Sequence, residues 1–322
     1  MRCLCCGKPF TDKSSESERL QGWHNICIRK FFSTAIIPEL DLTEEELKRI
    51  AEQSVNDGFT VTGVQKKLSL HLTNDGKPRL TIVNFPNGYI LKPQASEYEF
   101  LPESEHCIME MAKATRIKTV PFALLRLNPS FAYITKRIDR IINNGKAPEI
   151  KMLAMEDFCQ LDGKLTIDKY HGSYERCAKI IERYSSQSEL DKAELFLRLV
   201  FCFVTGNSDM HLKNFSLIES TYKSGEYVLS PAYDMLPVNL ILPEDKEEFA
   251  LTMNDKKNRI SRKDFLAFAN NIRLNINAAE KMLSKVISMK RTYIDLCEDS
   301  FMPKEMQRAL INLIEERTER LK

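Results

Sequence analysis

Residues 206–234 read G-N-S-D-M-H-L-K-N-F-S-L-I-E-S-T-Y-K-S-G-E-Y-V-L-S-P-A-Y-D, and the chemistry of this stretch organises the rest of the chain. Asp209 and Asn214 stand in the spacing D-x-x-x-x-N. A second acid, Asp234, comes after a short apolar strand (Tyr227, Val228, Leu229) and a Ser-Pro turn. One carboxylate beside an incoming hydroxyl, an amide oxygen five residues on and a later acid are the parts of a phosphoryl-transfer loop. Such a loop has little covalent work to do; it places Mg²⁺, phosphate and hydroxyl in line. D-x4-N alone equally describes a solvated, capped loop, so the surrounding sequence has to decide.

Upstream, helical periodicity at 188–205 delivers the chain to Gly206, a natural helix C-cap. Downstream, a hairpin carries Asn214 and Asp234 to one spot. His211, between the two polar residues, either touches phosphate or substrate or packs the loop. Further helical patterns fall at 154–161, 173–184, 261–270, 275–297 and 303–321, while strands nearly disappear beyond Pro148.

The N-terminal half has a different period. Between 59 and 92, Leu68, Leu70 and Leu72 alternate with Ser69 and His71, Asn74-Asp75-Gly76 turns the chain, and Leu80 and Ile82 return it. Ahead of these strands, Gly63 lies where a phosphate-covering loop belongs, although a lone glycine also marks a bulge. Thr60 and Thr62, two apart, point the same way in an extended segment. A strand at 88–92 ends in Lys92. The helix expected at 102–114 puts Glu105, Ile108 and Ala112 on one stripe, so a carboxylate on that inward face asks for a cation. Glu105 or Glu103 pairs with Lys92. Strands at 120–127 and 131–137 complete the sheet, and a Gly/Asn-containing linker at 143–148 reads as a hinge.

The first forty residues carry Cys3-x2-Cys6 and His24-x2-Cys27. Both pairs have zinc-knuckle spacing, and together they form a Cys₃His set for Zn²⁺. Cys5 competes with its neighbours for the assignment. The alternative is a reduced arm in which Trp23 and Phe10 merely dock on the body. Next, Leu42-Thr43-x-x-Glu46-Leu47 reads as a capping box with a staple, opening a helix to about residue 55.

The chain has 322 residues, enough for two lobes, with 47 basic against 45 acidic residues and a net charge of +2. That balance argues against direct nucleic-acid binding, which wants a basic surplus. Neither a membrane-length apolar run nor a signal peptide is present. Nine cysteines, several alone in apolar segments (Cys107, Cys159, Cys202), suit free thiols in a reducing cytoplasm.

Six segments taken in order amount to a resemblance: T-V-T-G-V-Q-K-K (60–67), Y-I-L-K (89–92), K-R-I-D-R (136–140), E-D-F-C-Q (156–160), G-N-S-D-M-H-L-K-N-F (206–215) and P-A-Y-D-M-L (231–236). The sequence resembles the HipA-like serine/threonine kinases of bacterial toxin–antitoxin systems over roughly residues 58 to 320. With little room before the sheet for an extra subdomain, it is most similar to the short HipT toxins of HipBST-like systems.

The resemblance implies an α+β, two-lobed protein-kinase-like fold. Residues 1–40 are the arm, 41–142 a β-rich nucleotide-binding lobe and 143–322 a helical catalytic lobe. It implies ATP and Mg²⁺, with Asp209 as the catalytic acid, Asn214 and Asp234 as metal ligands and Lys92 on the ATP phosphates. Thr60, Thr62, Gly63, Val64 and Gln65 cover the nucleotide, and Lys136, Arg137 and Ile138 form the adenine hinge. The substrate implied is an aminoacyl-tRNA synthetase. The partners are a small antitoxin supplying the missing subdomain and a DNA-binding antitoxin. In that branch the hydroxyls before the glycine are autophosphorylated; here both are threonine where serine is usual. A phosphate there would place about −1.5 to −2 charges beside ATP, an off-switch. Two other functions fit the same residues: a catalytically restrained kinase-like corepressor module, and a small-molecule phosphotransferase.

Overall fold

Two short helices open the chain. In α1 (Glu16–Gln21), Ser15 and Glu18 cap each other's backbone, and Gly22 at φ 71° stops the helix because a residue without Cβ enters the left-handed region at little cost. α2 (Asn25–Phe32) buries Cys27, Ile28, Phe31 and Phe32. The computed structural model describes residues 1–40, 67–73, 76–82, 88–95, 97–127, 129–143 and 149–322. The capping box at Thr43 and Glu46, the loop of Thr60, Thr62, Gly63, Val64 and Gln65, the Asn74-Asp75 turn and most of the expected hinge lie outside the described residues. By packing, the chain divides into Met1–His106 with Val120–Ile150, and Cys107–Thr119 with Lys151–Lys322.

The first unit is built on one sheet. Its strands are β1 (Glu39–Leu40), β2 (Leu68–Thr73), β3 (Arg79–Thr81), β4 (Tyr89–Pro93), β5 (Phe122–Leu127) and β6 (Ser130–Lys136), ordered β1-β3-β2-β4-β6-β5. The helix α3 (Leu101–Ala114) separates β4 from β5. The β1–β3 pair is parallel and the others antiparallel. β7 (Arg140–Asn143) and β8 (Glu149–Met152), a separate two-stranded sheet, follow.

Register decides which face each side chain takes. Leu68 lies opposite Leu91 and Leu70 opposite Tyr89, so these four share one face. The arm covers it. The Phe31 and Phe32 rings sit 5.9 and 5.5 Å from Tyr89, Trp23 packs on both of them at 5.6 and 5.4 Å, and the Tyr89 hydroxyl donates to the Phe31 carbonyl (3.2 Å). At the sheet edge the Leu124 N–H donates to the Leu4 carbonyl (2.8 Å).

The opposite face carries Lys92, which pairs in register with Tyr133 and sits 5.1 Å from its ring centre. Its ammonium meets Glu105 of α3 at 2.6 Å, with the two side chains 3% and 0% exposed. Glu105 therefore makes the pair that the sequence left open between two acids. Glu103 is buried too, and burial pushes its carboxyl up to about 7.

The second unit contains the expected hairpin and one strand, β9, that the helical pattern hid. β9 (Met155–Asp157), α4 (Phe158–Leu161), α5 (Tyr174–Tyr184), α6 (Ser188–Thr205), β10 (Ser216–Glu219) and β11 (Tyr227–Leu229) come in that order. The range 154–161, expected to be helical throughout, is a strand running into a one-turn helix. Met155 and Asp157 pair with Ile218 and Ser216, and Asp157 turns from strand to N-cap, accepting from the Gln160 N–H. The three strands order β11-β10-β9, so the expected hairpin gains β9 as a third strand in an otherwise mostly helical half.

The remaining helices are α7 (Val238–Ile241), α8 (Arg262–Asn271), α9 (Ile276–Ser288), α10 (Lys290–Glu298) and α11 (Lys304–Arg320). One helix was expected at 275–297; it is broken at Met289. The Ser288 hydroxyl takes the Lys285 carbonyl (2.7 Å), and the Met289 N–H is shared between Lys285 and Val286, so the ladder closes early. α6 is buried on all sides over its second half. Among the described residues no helix is long and apolar enough to cross a membrane.

The Lys92–Glu105 pair makes a stability prediction. Lys92→Met removes the ammonium that faces a buried carboxylate and costs about 3–5 kcal/mol, whereas Lys92→Met/Glu105→Leu recovers most of that loss. Urea unfolding of the two variants checks this; equal destabilisation in both would contradict it.

Candidate active site

The loop after α6 begins with a constraint on one backbone position. Gly206 has φ 72° and its N–H closes the helix on the Cys202 and Phe203 carbonyls. A Cβ built there would collide with the Leu313 side chain. Below the loop lies a polar chain: Arg317 donates to the Phe203 carbonyl and to Asn239 Oδ1, both at 2.9 Å. Asn239 Nδ2 in turn donates to Ser208 Oγ (3.3 Å) and the Glu247 carbonyl (2.8 Å). Ser208 donates to Asp245 at 3.1 Å. Irregular backbone is thus held by a chain of side-chain hydrogen bonds running from Arg317 through Asn239 to Ser208.

Asp209 is the exposed end of this arrangement, with its side chain 43% accessible. Its N–H donates to Asn207 Oδ1 (3.3 Å), and its Oδ1 accepts from the Tyr170 hydroxyl at 2.8 Å. Asn214 Nδ2 donates to the Asp209 carbonyl at 2.7 Å. With that donor committed, the acceptor oxygen is what Asn214 can offer a cation. His211 Nε2 lies 4.0 Å from Asp209 Oδ2, and its ring stands edge-on to Tyr170 at 5.0 Å. Asp209, His211 and Asn214 are therefore neighbours, and Tyr170 joins them.

The hairpin ties Asp234 to the same segment. β10 starts two residues after Asn214 and pairs with β11 through Leu217–Leu229 and Ile218–Val228. The Tyr233 hydroxyl is 2.5 Å from Ser216 Oγ and donates to the Lys213 carbonyl (3.3 Å). Each of these contacts is made by a chain neighbour of Asp234 or Asn214. The Ala232 N–H is held by the Lys118 carbonyl (2.6 Å). Asp234 itself has φ 55°, a left-handed conformation that aspartate adopts more readily than most residues.

The E-D-F-C-Q element braces this loop from the other side. Asp157 pairs with Lys213 at 2.7 Å, Phe158 stacks on Phe215 at 5.6 Å, and the buried Cys159 thiol donates to the Leu165 carbonyl (3.1 Å). Burial raises the Cys159 thiol above its ordinary value.

The other expected site residues belong to the first unit. Lys92 is the ion-paired residue of β4. Lys136 ends β6, with its N–H on the Pro121 carbonyl (2.9 Å), and the Arg137 N–H takes the Gly88 carbonyl (2.8 Å). The Arg137 side chain is fixed on Asp139 at 2.7 Å, and burial lowers the Lys136 ammonium. Ile138 follows them. In the arm, the Cys3, Cys6, His24 and Cys27 ligand atoms all lie within 4.8 Å of one another. Sequence reasoning missed Tyr170, Asp157, Asn239 and Arg317. Of these, only Asp157 had a signal, its place inside the E-D-F-C-Q element.

A family model for the HipA-like C-terminal domain matches residues 59–293. The chain belongs to this family. Curated relatives of this HipA-like chain include a Haemophilus influenzae protein named "Putative kinase". It is 29% identical over 92% of this chain and 93% of its own length. A Sinorhizobium fredii protein, "Putative kinase Y4dM", is 32% identical over 55% of this chain and 44% of its own. Among solved structures, Shewanella oneidensis HipA, in complex with HipB and operator DNA, superposes with a TM-score of 0.69. Identity is 19%, covering 89% of this chain and 73% of that one. The Helicobacter pylori proinflammatory kinase CtkA gives a TM-score of 0.51 at 15% identity, covering 78% and 90%. These likenesses establish the mixed α+β, kinase-like fold expected from the sequence.

Gly206 supplies the prediction here. Gly206→Ala should destabilise the protein by about 1–2 kcal/mol for the left-handed backbone alone, with the collision at Leu313 adding to it. An unchanged urea midpoint would refute the constraint.

Proposed function

We propose that this protein is an ATP-dependent serine/threonine protein kinase acting as the toxin of a HipBST-like toxin–antitoxin system. The observation that carries this reading is the 2.7 Å hydrogen bond from Asn214 Nδ2 to the Asp209 carbonyl. It orients an amide oxygen for a cation, five residues beyond a solvent-accessible carboxylate. Asn214 Oδ1 and Asp234 are the groups that would hold Mg²⁺, an oxygen set suited to that ion. Bound there with ATP, Mg²⁺ would supply charge neutralisation on the phosphates.

The chain's own residues do the rest. Asp209 would accept the proton of the substrate hydroxyl as that oxygen bonds to the γ-phosphorus and the bond from phosphorus to the ADP oxygen breaks. Tyr170 would hold the carboxylate in one orientation through its hydroxyl. His211, against Tyr170, would meet the phosphate or the substrate. Lys92, steadied by Glu105, would set its ammonium on the ATP phosphates. Thr60, Thr62, Gly63, Val64 and Gln65 would cover the nucleotide, and Lys136, Arg137 and Ile138 would receive the adenine.

An aminoacyl-tRNA synthetase is the proposed substrate, in the cytoplasm, and Thr60 and Thr62 are the proposed autophosphorylation acceptors. Partner antitoxins are supported by the Shewanella protein, whose structure includes HipB and operator DNA. The kinase names of the curated relatives support the reaction class.

Labelled ATP, Mg²⁺ and cell lysate test the proposal. Asp209→Asn should lower transfer to a lysate protein by roughly 10²–10⁴-fold, with mass spectrometry locating the phosphate on a serine or threonine. Equal transfer by both proteins would overturn it.

A further inference from the structure

The arm's cysteine and histidine side chains take no part in the proposed phosphoryl transfer, yet they converge. We propose that Cys3, Cys6, His24 and Cys27 bind one structural Zn²⁺ that fastens the N-terminal arm onto the sheet of the first unit.

The four ligand types and their mutual proximity suit a single zinc ion. The four ligand atoms fall within 4.8 Å of one another, and Cys6 Sγ is 3.4 Å from His24 Nδ1. Zinc bonded to sulfur and imidazole nitrogen sets ligand–ligand edges of roughly 3.5–3.8 Å. The backbone is already wound for it. Cys3 to Gly7 form a tight turn in which the Gly7 N–H donates to the Cys3 carbonyl (2.9 Å), with Gly7 at φ 65°. The His24 N–H donates to Cys3 Sγ at 3.3 Å, which holds that sulfur beside the histidine.

His24 is the second sign. It occupies the N-cap of α2 but makes no side-chain cap bond, although serine, threonine and aspartate are the residues that serve there. Its ring is turned to the cysteines instead, with Phe10 packed on it at 4.7 Å. Cys27 sits in the first turn of α2, its N–H on the His24 carbonyl (2.9 Å). Four protein ligands leave no open position, so the site is structural rather than catalytic.

The consequence lies in what the arm covers. Trp23 comes directly before ligand His24, and Phe31 and Phe32 end the helix that begins beside it. These three rings form the layer over Tyr89. Leu4, inside the first ligand turn, holds the edge strand at Leu124. The metal would therefore fix one face of the sheet whose other face carries Lys92.

Full-length protein purified under reducing conditions tests this by metal analysis and by exchange with Co²⁺. The expected results are one zinc per chain and a cobalt form showing thiolate charge-transfer and tetrahedral d–d bands. Cys6→Ser should lose both, and Cys5→Ser should keep both. A chelator should lower the thermal midpoint of the wild type and leave that of Cys6→Ser unchanged. Zinc-free wild type with no tetrahedral cobalt spectrum would overturn the proposal whether or not the variants fold. So would retention of metal by Cys6→Ser together with its loss from Cys5→Ser.

Discussion

The loop at Asp209 depends on how α6 is stopped. A helix buried over its whole second half cannot simply fray into water, because its terminal carbonyls have no solvent to meet. Gly206 ends it by turning left-handed, and Arg317 reaches in from α11 to take the Phe203 carbonyl. The same guanidinium fixes Asn239, which fixes Ser208. Asp209 thus stands one residue beyond a support held by the hydrogen bonds of Arg317, Asn239 and Ser208. The proposed role of Asp209 as the acid that meets a substrate hydroxyl calls for such rigidity, since misplacement by even an ångström is costly.

The first unit meets the same requirement by other means. Lys92 is buried with its charge, and Glu105 opposite and Tyr133 beneath it help to offset the cost of that burial. A sheet of short strands cannot hold such a pair from one side. Glu105 and its neighbours at the start of α3 lie on one side and the aromatic cluster of the arm on the other. The arm is thus part of the unit's packing, and its cysteine cluster lies at the root of that layer.

What could be read in the chain was mostly local. The D-x4-N spacing, the glycine cap and the hairpin returning Asp234 concern residues close in sequence, and their geometry follows from turn and helix rules. Lys92 and its helix were legible because a carboxylate on an inward stripe needs a counter-charge. The choice between Glu103 and Glu105 was not, since both acids are buried and register alone aims one of them at β4. Tyr170 was invisible for another reason: it lies outside any periodic element, 39 positions from the acid it bonds. β9 was taken for helix because three residues are too few to show a period, and its strand character comes from β10 alone. The break at Met289 likewise rests on a serine hydroxyl competing for a carbonyl, which spacing cannot display.

The central claim is that Asn214 and Asp234 together present oxygen ligands to one divalent ion carrying ATP. Calorimetric titration of ATP with and without Mg²⁺, into wild type and Asp234→Asn, tests it most directly. The account predicts Mg²⁺-dependent binding by the wild type and its loss in the variant, with unfolding midpoints unchanged. Identical Mg²⁺-dependent affinity in both proteins would contradict it.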